Sequence, residues 1–113
     1  MSYRVKIREG PRVLKDRFDT LDAALEHIEA VLRPVAAEIN RETTRALMRD
    51  VEPEDQVAAR GELSGPHRLR AGIDVRGDGS TVAFMGTITR KPIAPDGHED
   101  GFQALRRAID RPV

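Results

Sequence analysis

Cationic side chains recur at every second position in the parts of this chain that read as strands. Arg4, Lys6 and Arg8 alternate with Tyr3, Val5 and Ile7, and Lys15 and Arg17 follow two residues apart. Later come Arg60, Arg68, Arg70 and Arg76, and then Lys91. Residues two apart on a strand share one face of the sheet. Guanidinium and ammonium groups gathered that way suit one chemistry, the neutralisation of phosphate or carboxylate. The candidate partner or nucleic-acid-binding face is therefore Arg4, Lys6, Arg8, Arg60, Arg68, Arg70, Arg76 and Lys91, with Lys15 and Arg17 beside them. Only Glu62 and Asp74 oppose these ten cations, an expected surplus of +8. Arg outnumbers Lys by 16 to 3, which suits phosphate but which GC-rich coding also explains.

Other residue sets carry less. Asp50, Glu52, Glu54 and Asp55 lack the glycine and ligand spacing of a calcium loop and read as a solvated connector. Asp74, Asp78 and Gly79 match part of such a loop, but Arg76 and Met85 stand where ligands belong. His98 lies among Asp96, Glu99 and Asp100 with no second histidine nearby, which reads as turn and cap chemistry. His27 falls on the polar side of a helix and His67 in a hairpin loop. None of the three serines, Ser2, Ser64 and Ser80, sits in a nucleophile elbow. The glycines form no phosphate-binding loop before a helix, and Arg76-Gly77-Asp78 spells an adhesion tripeptide by chance at a hairpin tip. With no cysteine, disulfides and thiolate chemistry are excluded. No catalytic set, metal or cofactor is expected.

The elements that must position these groups follow from periodicity. The chain has 113 residues, 39% hydrophobic and 34% charged, which fits one soluble globular domain. No apolar run approaches the ~20 residues of a membrane helix, and no signal-peptide block opens the chain, so a cytoplasmic location is expected. Tyr3 to Arg8 and Arg12 to Phe18 read as two strands about a Gly10-Pro11 turn. Asp16 falls on the apolar side of the second, which predicts a bulge or an edge position. Asp19 or Thr20 caps a helix whose stripe is Leu21, Leu25, Ile28, Leu32, Val35, Ile39 and Ala46, widened by Ala24, Val31 and Ala36. The stripe keeps its phase through Pro34, which removes one helical hydrogen bond and predicts a kink or break. An unbroken helix over 20–49 would run about 45 Å and overhang strands of about 20–27 Å.

After an acidic connector come three predicted strands. Val57, Ala59, Gly61 and Leu63 line the inner side of the first, and Leu69, Ala71, Ile73 and Val75 that of the second. On the third, alternation assigns Val82, Phe84, Gly86 and Ile88 to the core, opposite Ala83, Met85, Thr87, Thr89 and Lys91. Asp100 and Gln103 resemble a capping box for a closing helix that buries Phe102, Leu105 and Ile109.

The expected fold is α+β: a mainly antiparallel five-stranded sheet with helices packed on one face, in the order ββα(bent at Pro34)βββα. Charge is sorted along it. Residues 1–18 carry six cations and two acids, whereas residues 19–55 carry ten acids and four cations. That separation favours a small non-enzymatic interaction module that self-associates as a homodimer, basic strands against acidic helices. The alternative is nucleic-acid binding through the Arg/Lys-rich sheet face, against which stands the absence of an exposed aromatic, since Tyr3 and Phe84 are both assigned inward. A small-molecule or enzyme site between sheet and helices is the third reading, with His98 and its neighbours as first candidates.

Overall fold

Alternation and helical periodicity give the described residues a six-stranded antiparallel sheet with two helices. The computed structural model describes residues 2–45, 57–86 and 91–110. In chain order the elements are β1 (Tyr3–Glu9), β2 (Arg12–Phe18), α1 (Leu21–Arg45), β3 (Val57–Gly65), β4 (Leu69–Arg76), β5 (Thr81–Met85), β6 (Lys91–Pro92) and α2 (Gly101–Asp110). The sheet order is β2-β1-β3-β4-β5-β6, every neighbour antiparallel. The first hairpin thus joins the rest through β1 and β3. No described helix is long and apolar enough to cross a membrane. Ala46, the acidic residues of 50–55, and Thr87, Ile88 and Thr89 lie outside the described residues.

Register assigns each side chain to a face. Val5, Leu63 and Ala71 lie in one cross-strand row and Ile7, Gly61 and Ile73 in the next, and all six point to the helices. Ala24, Leu25, Ile28, Leu32 and Ala36 of α1 and Phe102, Ala104 and Leu105 of α2 close this core. A Cβ on Gly61 would touch Leu32 Cδ1 at 3.0 Å, so the missing side chain lets α1 seat closely.

Thr20 caps α1, its Oγ1 accepting from the Ala23 N–H at 3.1 Å. The helix then runs for 25 residues, about 37 Å, with Pro34 inside it, so of the expected kink or break at Pro34 the break does not occur. Pro34 and Ala30, whose carbonyl loses its partner, both lie on the exposed side, where water satisfies that group. At Asn40 the helix reaches the β4–β5 turn, Nδ2 donating to the Asp78 carbonyl at 3.2 Å.

The strand after β4 also differs from expectation. Five strands become six, because β5 stops at Met85 and Lys91–Pro92 pairs as a separate short strand. The phase of β5 is inverted: Ala83 and Met85 face the helices, while Val82 and Phe84 face the other way. Both sets are apolar, so alternation could not choose between them. Packing does. The amino end of α2 rests on β5, with the Gly101 N–H donating to Thr81 Oγ1 at 2.7 Å. Beside it only a small residue such as Ala83, which is fully buried, fits under the helix.

Candidate functional site

Three rows of side chains cross the face that the helices leave open. The first, at the start of β1, reads Arg17, Arg4, Ser64 and Arg70 from β2 to β4, and the Gly86 N–H donates to the Arg70 carbonyl beside it at 2.8 Å. The second reads Lys15, Lys6, Glu62, Gly72, Phe84 and Pro92. The third reads Val13, Arg8, Arg60, Asp74 and Val82. Long cationic chains rise at the β1–β2 side of the first two rows, while the short side chains of Ser64, Gly72 and Gly86 keep the middle low. The result is a groove of about 660 Å³, lined by Arg4, Lys6, Lys15, Arg17, Ser64, Arg70 and Phe84, with two acids, Glu62 between β1 and β4 and Asp16 on β2, also at its wall.

The cations of this groove differ from those elsewhere. Among the described residues, Arg4, Lys6, Lys15, Arg17 and Arg70 have no carboxylate within ion-pair distance. In the helix layer the arginines are engaged. Arg33 meets Asp100 at 2.6 Å, Arg106 meets Asp22 at 2.6 Å, and Arg107 grips Glu99 at 3.0 Å and Asp96 at 3.3 Å. Like charges held side by side on neighbouring strands repel, and in the first row, Arg17, Arg4 and Arg70, no described acid is paired across the strands.

In the third row the charge is cancelled. Arg60 forms a two-pronged pair with Asp74, Nε to Oδ1 at 2.5 Å and Nη2 to Oδ2 at 3.2 Å. Asp74 is the one buried charged residue among those described, at 7% exposure. Its hydrogen bonds raise the Arg60 guanidinium above its already high ordinary value, against the opposing cost of burial. The guanidinium lies over the Phe84 ring, 5.6 Å from its centroid. That ring fills the space where Gly72 has no side chain. Phe84 therefore stands on the open face instead of in the helix-side core, but it is covered, at 4% exposure. The sequence carried a signal for this arrangement: a glycine inside a strand marks close approach by a neighbour.

Six of the eight expected binding residues, Arg4, Lys6, Arg8, Arg60, Arg70 and Arg76, fall on the open face by register. Two do not. Lys91 lies opposite Met85, on the helix side of the sheet. Arg68 sits in the β3–β4 turn with φ 60°, next to His67 with φ 59°, and borders a separate hollow with Tyr3 and Leu21. Two consecutive left-handed residues, neither glycine, store strain of about 1–2 kcal/mol each. Arg68→Gly is expected to raise stability by about 1 kcal/mol, less the entropy glycine adds to the unfolded chain. Urea unfolding measures the gain, and ligand affinity should not change, because Arg68 is outside the groove.

The His98 cluster is turn and cap chemistry. The Asp96 N–H donates to Glu99 Oε1 at 2.8 Å, and Arg107 ties Glu99 to the Ala94 carbonyl. Asp100 and Gln103 form the reciprocal capping box, 2.8 Å and 2.9 Å. Burial alone would raise the Asp100 carboxyl, but the Gln103 N–H and the Arg33 guanidinium outweigh it and hold it below 3.8. A depressed carboxyl stabilises the fold above its unfolded value and loses that contribution as pH falls through the folded one. Asp100→Ala is thus expected to cost about 1 kcal/mol at neutral pH, Asp100→Asn less. Thermal melts below pH 3.8 should show the gap to wild type shrinking.

His27, expected on a polar face without partners, is half-buried against β2, with Nε2 3.2 Å from Asp16 Oδ2 and its ring 4.9 Å from that of Phe18. Asp16 sits on an edge strand in regular register, so the edge alternative holds and no bulge forms. Among the described residues no group of three metal-ligating side chains converges. In comparison with known proteins, the chain matches no family model, no curated protein and no solved structure.

Proposed function

We propose that this protein binds nucleic acid through the open strand face, gripping phosphates in the groove between β2 and β4 without catalysing a reaction. The observation that carries this reading is the set of five cations, Arg4, Lys6, Lys15, Arg17 and Arg70, around one groove with no carboxylate of the described residues within ion-pair distance of them. Backbone neutralisation of this kind supplies most sequence-independent affinity. Phe84 is on this face yet capped by Arg60, so base stacking on its ring contributes little and sequence preference is weak. Self-association has less support. Of the acids described in the helix layer, Asp22, Glu29, Asp96, Glu99 and Asp100 are engaged by Arg33, Arg106 and Arg107. Beyond Asn40, α1 continues as Arg41-Glu42-Thr43-Thr44-Arg45, a polar sequence that requires no apolar cover.

Fluorescence anisotropy of labelled DNA and RNA oligonucleotides at low salt tests the proposal. Binding that weakens on Arg4→Gln, Arg17→Gln and Arg70→Gln supports it. No shift with either nucleic acid ends it.

A further inference from the structure

The groove is not uniformly charged along β1, and this asymmetry carries an inference that rests on the nucleic-acid reading. Successive open-face positions of β1 are two residues apart, about 6.6–6.8 Å. At the first, Arg4 has Arg17 on one side and, across the short Ser64, Arg70 on the other; one Arg70 nitrogen, Nη1, donates to the Leu69 carbonyl at 3.0 Å, which leaves its other N–H groups for an anion. At the second, Lys6 and Lys15 face Glu62. At the third, Arg8 stands beside Val13 and beside an Arg60 already neutralised by Asp74. Net positive charge therefore falls from three to one between the first row and the second. The first row is also all arginine, whose planar fork matches phosphate oxygens in pairs.

A backbone of identical phosphodiesters, one charge each, gives no reason for such a gradient. A strand that ends in a phosphomonoester does, because that group carries close to two charges at neutral pH and has three acceptor oxygens. Strand spacing of about 4.7–4.9 Å puts Arg4 and Arg70 roughly 10 Å apart with Ser64 between and below them. An anion seated over Ser64 meets a guanidinium from each side and the hydroxyl from beneath. The row lies at the end of the sheet where β1 and β4 begin and β3 ends, and Lys6 and Arg8 follow it along β1 on the same face.

We infer that Arg17, Arg4, Ser64 and Arg70 form a subsite for the terminal phosphate of a single-stranded nucleic acid, with the chain running from there along β1. The test compares strands of one sequence, about a dozen nucleotides long, bearing a 5′-phosphate, a 3′-phosphate or hydroxyls at both ends. One phosphorylated strand is expected to bind about tenfold or more tighter than the hydroxyl strand, and which one sets the polarity. Arg70→Gln should weaken the phosphorylated strand about tenfold more than the hydroxyl strand and so abolish that advantage. Arg12→Gln, the same charge change on the helix side of β2, should retain it. Circular dichroism verifies that both variants fold. Equal affinity for all three strands overturns the terminal subsite and leaves the nucleic-acid reading standing. No binding of any strand overturns both.

Discussion

Asp74→Ala is expected to remove about 3 kcal/mol of stability, the lower part of the range for breaking a buried ion pair, because Arg60 keeps some access to water. The loss arises mainly from what remains. Without the carboxylate, the Arg60 guanidinium keeps its place over Phe84 with both hydrogen bonds unmade, or swings out and uncovers the ring. Urea unfolding should move to a midpoint roughly 1–3 M lower, given slopes of about 1–3 kcal/mol per molar. Replacing both partners separates the cost of an orphaned charge from the value of the pair. Arg60→Met with Asp74→Leu is expected to recover most of the loss, since apolar replacement of a buried pair is often neutral or stabilising. If the single substitution costs under about 1 kcal/mol, the pair is not what holds this part of the sheet together.

The second large effect is the dependence of binding on salt. For single strands the logarithm of affinity falls with the logarithm of salt at about 0.7 per phosphate neutralised. Engagement of all five free cations of the groove gives a slope near −3.5, or about a hundredfold weaker binding at 200 mM salt than at 50 mM. Each neutralising substitution at Arg4, Lys6, Lys15, Arg17 or Arg70 should make the slope shallower by about 0.7. Affinity that ignores salt would mean that these side chains are merely solvated.

Much of this was readable from residue order. Period-two alternation located β1 to β4 and gave most of their side chains the right face, but Val57, beside a bulge, is exposed and Arg68 falls in the turn before β4. The Gly10-Pro11 turn, the Thr20 cap and the Asp100–Gln103 capping box depend on neighbours within a few positions, so local chemistry specified them. Where local information was ambiguous, the reading failed. Val82 and Phe84 are as apolar as Ala83 and Met85, so the phase of β5 was undetermined until α2 docked on Thr81 and Ala83. Pro34 carries a local penalty for helix, yet α1 continues through it as one helix, because the stripe from Leu21 to Ile39 gains more by packing on the sheet.

The amino-acid order by itself thus determined which segments became strands and helices, how their ends were capped, and that cations would repeat at one strand face. Tertiary structure decided which of those cations meet. Pairing of β1 with both β2 and β3 brought Arg17, Arg4, Ser64 and Arg70 into one line, and the β3–β4 pairing matched Arg60 to Asp74. The physical reason is that charge compensation depends on distances of a few ångströms between residues far apart in the chain. Strand order and register set those distances, and neither is encoded in the periodicity of any single strand.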